Sequence, residues 1–182
     1  MAASCLLAIS AEAQSETIFG NNALGLSGIW YNNTHNFSFY DEESKYFSGG
    51  TIDLEFGNRL LLGWAWQRMR DDLDIEAVGE SFKLRHNGLK LGYIPLSNRV
   101  LHPYFSAYAG GGEIDIIGGD DDRIFGINGA AGVEINVTGW FRLGLEGGYR
   151  YITDVDIPGL SDEDFSAPFG QLNLRFGFSW GY

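Results

Sequence analysis

The sequence predicts an all-β chain, an eight-stranded antiparallel up-and-down barrel. Three observations carry this. Apolar and polar residues alternate with period two along most of the chain, the pattern of a strand whose two faces meet different surroundings. The segments are joined by connections of two kinds, three tight turns and four acidic, mostly longer stretches. The composition suits a closed sheet: 182 residues with 26 glycines, 15% aromatics and only 4 prolines, which sets an expectation of one domain and argues against disorder. No run reaches the ~18 apolar residues that a membrane helix needs. Twelve basic against 24 acidic residues leave a net charge of −12, which speaks against a nucleic-acid partner. One cysteine excludes a disulfide scaffold or a cysteine-built zinc site.

Residues 1–13, MAASCLLAISAEA, read as a leader. Ala2 to Ile9 is apolar, and Ala11-Glu12-Ala13 fits the small-x-small cleavage rule, making Gln14 the mature start. The first basic residue is Lys45, so the leader lacks its basic n-region and reads as truncated. The mature barrel, 14–182, then has no cysteine, as suits an oxidising extracytoplasmic compartment.

The first strand falls near 26–40, with the least regular alternation. Ile52, Leu54 and Phe56 then oppose Thr51, Asp53 and Glu55. Strands follow at 60–70, 82–94 and 101–117. In 125–137, Phe125, Ile127, Ala131, Val133 and Ile135 oppose Gly126, Asn128, Gly132 and Glu134. In 141–151, Phe141, Leu143, Leu145, Tyr149 and Tyr151 oppose Arg142, Gly144, Glu146, Gly148 and Arg150. In 169–182, Leu172, Leu174, Phe176, Phe178, Trp180 and Tyr182 oppose Gln171, Asn173, Arg175, Gly177 and Ser179. Two segments change phase midway, across His86-Asn87-Gly88 and across Gly110-Gly111-Gly112, which predicts β-bulges. The tight turns are 57–59, 96–99 and 136–139. The acidic connections, 41–45, 71–80, 118–122 and 154–164, hold 16 of the 24 acidic residues. One end of the barrel is therefore short-turned and the other carries an acidic crown.

Alternation alone does not separate a membrane barrel from a soluble one with its apolar face inside. Gly28-Ile29-Trp30-Tyr31 resembles the G-x-W signature of lipocalins, so a secreted carrier of hydrophobic ligands is the soluble alternative. Four features favour the membrane. The polar parity combines glycine with full charges of both signs. Aromatics crowd strand ends as two girdles: Trp140, Phe141, Trp180 and Tyr182 at one end, Tyr40, Tyr46, Phe82, Tyr151 and Phe165 at the other. The connections are short on one side and long on the other. No helix is predicted after the barrel.

The C-terminal run Arg175-Phe176-Gly177-Phe178-Ser179-Trp180-Gly181-Tyr182 matches the polar-x-Gly-x-x-aromatic-x-aromatic ending of bacterial outer-membrane barrels. The mature chain resembles the small outer-membrane β-barrel family, of the outer-membrane protein A or X type. The stretches 58–64, 140–150 and 169–171 resemble a subgroup of it without an assigned function. The resemblance implies an outer-membrane location, and recognition of Arg175, Gly177, Trp180 and Tyr182 by the barrel-assembly machinery.

Physics then places the strand charges. An arginine facing lipid at the bilayer midplane costs about 2–4 kcal/mol, so Arg142, Arg150 and Arg175 should point inward. Unpaired burial is costly too. Glu55, Glu134 and Glu146 are their expected partners, with Lys90 and Asp53 beyond, giving a plugged polar lumen.

No catalytic constellation emerges. His102 and Ser106 share a strand face but lie ~13 Å apart at ~3.3 Å per residue, too far for a nucleophile and its base. His35 and Ser38 offer no better pair, and His86 belongs with the expected bulge. Asp154-Val155-Asp156-Ile157-Pro158-Gly159 is not an EF-hand start, because Pro158 replaces a ligand. No cofactor or metal is expected. The reading is a non-enzymatic, monomeric barrel with a structural, surface-interaction or envelope-integrity role, whose partners are outer-membrane lipid and lipopolysaccharide. A lipid A or phospholipid-modifying enzyme and a small channel are its other rivals.

Overall fold

The computed structural model describes residues 25–40, 43–75, 80–116 and 121–180. The expected leader, Asp120 of the acidic connection 118–122 and Tyr182 lie outside the described residues. Strands β1 (Leu26–Tyr40), β2 (Glu43–Phe56), β3 (Leu60–Met69), the short β4 (Leu73–Ile75), β5 (Glu80–Tyr93), β6 (Leu101–Ile116), β7 (Asp122–Asn136), β8 (Phe141–Thr153) and β9 (Ala167–Ser179) follow in order, with one helical turn, α1 (Asp162–Phe165), before β9. Neighbours pair antiparallel throughout. β1 pairs with β9 and β3 with β5, so the sheet closes. β4 lies against the start of β5, beyond the end of β3, and the wall counts eight strands. Closure leaves no edge, which a sheet needs in a medium without water to satisfy its backbone.

The turn after β2 shows how local chemistry sets the pairing. Gly57 and Asn58 both have positive φ, 57° and 55°, and Arg59 N–H donates to Phe56 O at 3.1 Å. This turn carries the twist of a tight hairpin and requires residues that tolerate the left-handed region.

The barrel is apolar outside and polar within. Leu91 and Leu145 are 59% and 62% exposed, while Asp53, Glu55 and Arg150 are 0% exposed. Water would reject this arrangement and a bilayer favours it. The strands alternate more strictly than the sequence suggests. β1 turns Trp30, Asn32, Thr34, Asn36 and Ser38 inward, and Ile29, Tyr31, Phe37 and Phe39 outward.

The expected bulges at His86-Asn87-Gly88 and Gly110-Gly111-Gly112 are not there. β5 pairs with β6 without a register break from Phe82↔Ile116 to Tyr93↔Phe105, and Gly110–Gly112 keep their register with β7. What changes midway is the medium on each face. Phe82, Leu84 and Ile114 point into the lumen, where they join Tyr40, Phe47, Met69, Leu73, Ile124, Ile152, Ile157, Phe165 and Ala167 in an apolar plug. On the outer wall there stand Lys83, Arg85, Glu113 and Asp115. The apolar parity thus swaps faces where the wall leaves the bilayer.

Two further expectations change with this. Tyr40, Phe82 and Phe165 are plug residues, not girdle residues; of the five aromatics assigned to the acidic end, only Tyr46 and Tyr151 are outside that plug, with Tyr151 47% exposed. The strands also run further than the alternation suggests, so Glu43, Asp74, Glu80 and Asp122 belong to strands and not to connections.

Candidate functional site

The site is the lumen. β2, β5, β7, β8 and β9 turn Asp53 and Glu55, Lys90, Glu134, Arg142, Glu146 and Arg150, and Arg175 inward, where they are buried; glycines on the same inward face leave them room. Gly63 shows the need. A Cβ there would collide with the Asp53 carboxylate and come within 2.5 Å of Ile52 O.

Near the short-turn end the charges form one connected chain. Glu55 Oε2 accepts from Arg142 Nη1 at 3.2 Å. Arg142 Nη1 lies 3.6 Å from Glu134 Oε1, and Arg175 Nη1 donates to Glu134 Oε2 at 2.6 Å. The Arg142 guanidinium stacks 3.8 Å from the Trp30 ring centroid, and that of Arg175 lies 5.3 Å from the same ring and 5.5 Å from Tyr104. Trp30 packs with Leu61, Ile94 and Tyr104. Lys90 Nζ reaches Asp53 Oδ2 at 3.6 Å, and Thr51 Oγ1 donates to the same oxygen at 2.8 Å.

Arg150 and Glu146 are not joined to this chain. Arg150 was expected to meet a carboxylate. It instead donates to Ser38 Oγ, Tyr40 OH and Gln67 Oε1 at 3.0, 3.4 and 2.9 Å, with its guanidinium 3.9 Å from the Phe47 ring centroid. Glu146 accepts from Ser106 Oγ at 2.7 Å and from Asn173 Nδ2. A cavity of about 40 Å³ sits in this part of the lumen, lined among others by Gln67, His86, Lys90, Ser106 and Tyr108. Among the described residues, both ring nitrogens of His86 and the Tyr108 hydroxyl have no hydrogen-bond partner. The space suffices for ordered water between them.

Sequence reasoning missed three members of the network. His102 Nε2 lies 3.1 Å from Glu134 Oε1, and its Nδ1 is 3.0 Å from Arg99 O. Trp30 supplies the stacking floor, and Ser106 caps Glu146. Their signal was parity: each lies on the lumen-facing parity of its strand, which the irregular look of β1 and the spacing argument for His102 and Ser106 obscured.

The histidines and serines considered for catalysis have other roles. His35 faces outward with Nδ1 2.6 Å from Tyr46 OH, whereas Ser38 faces the lumen. His102 and Ser106 are each engaged with a carboxylate. At the C-terminus Arg175 is buried in the network, and Trp180 is 46% exposed on the outside. A Cβ on Gly177 would collide with Ile29 O and crowd Trp30.

A closed antiparallel barrel with a lipid-compatible exterior and a charge-filled interior is a small membrane-spanning β-barrel. The chain belongs to the outer membrane protein β-barrel domain family, whose family model matches residues 1–180; it is an outer-membrane protein with several transmembrane strands. Its fold is similar to that of Neisserial surface protein A, at TM-score 0.58 and 17% identity over 84% of this chain and 96% of that one. It is equally similar to the N-terminal β-barrel domain of Pseudomonas aeruginosa OprF, at TM-score 0.58 and 17% identity over 85% and 99%. No curated protein matches the sequence.

Proposed function

We propose that this barrel is a closed, non-enzymatic envelope protein that stabilises the outer membrane and presents its acidic loops at the cell surface. The observation that carries this is the filled lumen. The apolar plug closes one end, and the Glu55–Arg142–Glu134–Arg175 chain over Trp30 occupies the other. Between them the cavity beside His86 measures about 40 Å³, too small for a lipid substrate. The partners proposed are outer-membrane lipid and lipopolysaccharide around a monomer, and the assembly machinery during biogenesis. The segment ending Arg175, Gly177, Trp180, Tyr182 serves as the assembly signal.

Planar-bilayer recording and lipid mass profiling test this together. The purified barrel should show no discrete conductance, and cells with or without it should have the same lipid A and phospholipid species. Steady channel openings abolished by an Arg142→Ala change, or a new lipid species lost on His35→Ala or His102→Ala, would overturn it.

A further inference from the structure

The bonds that His102 makes fix its charge. The ring is buried at the second position of β6, where the wall meets the tight turn 96–99. Its Nδ1 lies 3.0 Å from the backbone oxygen of Arg99 and its Nε2 3.1 Å from Glu134 Oε1. A backbone carbonyl only accepts, so Nδ1 carries a hydrogen. Glu134 only accepts as well. Its Oε2 receives Arg175 Nη1 at 2.6 Å, and its Oε1 lies 3.6 Å from Arg142 Nη1. A proton on Glu134 would strip Arg175 of its one ion-pair partner among the described residues, and an uncompensated buried cation is costly. Nε2 therefore carries a hydrogen too. A neutral imidazole has one N–H, and only the imidazolium has two.

The surrounding charges agree with this. Behind Glu134 of β7 stand Arg175 of β9 and Arg142 of β8, with Glu55 of β2 beyond Arg142. Tyr104 shares the lumen face of β6, with Lys90 of β5 over its ring and Asp53 beyond. Asp53, Glu55, Glu134 and Glu146 are the buried carboxylates among the described residues. Lys90, Arg142 and Arg175 supply three cations against these four, because Arg150 sits among neutral acceptors beneath the plug. The imidazolium is the fourth.

We propose that His102 is a proton-operated fastening, an imidazolium that ties the turn 96–99 to the lumen network. The turn contains Leu96 at φ 61°, in the left-handed region that a branched side chain resists. Asn136 Nδ2 donates to Ser97 O and Arg99 O at 2.9 and 2.8 Å, and His102 adds the second donor to Arg99 O. When the ring loses one proton, a nitrogen lone pair must face an oxygen. The bond to the Glu134 carboxylate is the stronger of the two, so the ring keeps Glu134 and releases the turn.

NMR of the full chain in detergent micelles, with ¹⁵N in backbone and histidine rings, tests this. His102→Gln identifies the ring signals by their loss. At neutral pH both ring nitrogens of His102 should be protonated. One bare nitrogen there would overturn the proposal. In Glu134→Gln the ring should hold a single proton at the same pH, and two protons would show that the carboxylate does not retain the second. As the pH is raised until the ring loses a proton, the amide signals of Ser97, Asn98, Arg99 and Val100 should shift with the same midpoint as the ring. Those of the turn 57–59, at the same end of the barrel, should stay, and His102→Gln should abolish the movement. Turn signals indifferent to the ring would refute the fastening. Heat-modifiable gel mobility verifies that each variant is folded, and the wild-type ring signals decide the charge without any variant but His102→Gln. None of these readouts depends on whether the lumen conducts.

Discussion

At the scale of single residues, the lumen rests on Glu134. Its two oxygens serve Arg175, Arg142 and His102. Removing its charge leaves a buried cation uncompensated, and breaking a buried pair in this way costs about 3–5 kcal/mol. Glu134→Gln is therefore expected to lower the unfolding free energy by that order, read from chemical unfolding in detergent micelles. Arg150→Met is a contrasting case. Among the described residues Arg150 binds neutral acceptors only, and it lies against Phe47, so an apolar replacement that keeps the stacking should cost less than Glu134→Gln. Equal losses for the two would contradict the connectivity described. Gly63 supplies the steric counterpart. Gly63→Val should abolish the heat-modifiable folded form, because its Cβ would collide with Asp53 and the β2 backbone.

At the scale of elements, α1 is the least expected piece. It lies within a connection rich in acid, and the three acidic residues of its first turn, Asp162, Glu163 and Asp164, suit a helix N-terminus. Asp164 Oδ2 accepts from the Ser161 N–H at 2.7 Å, and Phe165 is turned into the plug, with its ring centroid 5.6 Å from that of Phe82. Phe165→Ala should cost about 3–5 kcal/mol through the cavity it leaves, whereas Asp164→Ala should cost about 1 kcal/mol through the lost cap. Equilibrium unfolding of both variants checks this ordering. Two acidic side chains of this connection, Asp162 and Asp164, thus fold it by accepting from the N–H groups of Val155 and Ser161. β5 and β6 carry the other lesson. Their change of hydrophobic phase resembles a slip in register when read along one strand. With the neighbouring strands in place it marks the level at which lipid gives way to water outside and to an apolar plug inside.

At the scale of the whole molecule, the closed barrel predicts that the folded protein migrates faster than its boiled form on a gel, and that it stays with membranes unless detergent is added. A detergent-independent soluble monomer would contradict the fold's orientation. The sequence alone determined that the chain is a barrel, which parity of the last three strands faces lipid, and that the strand charges such as Arg142, Glu134 and Arg175 must be inside. Period-two alternation encodes the face of a strand directly, and a charge facing lipid is too costly to place elsewhere. Tertiary structure alone decided the pairing inside the lumen, because partners such as Arg142 and Glu55 are 87 residues apart and meet only through the register of the closed sheet. For the same reason Glu146 found Ser106 and Asn173 where an arginine was expected, and Phe82 and Phe165 fill the interior where a girdle was expected. Alternation tells which face a side chain takes, but not how far along the barrel axis it sits or which medium lies on that face there.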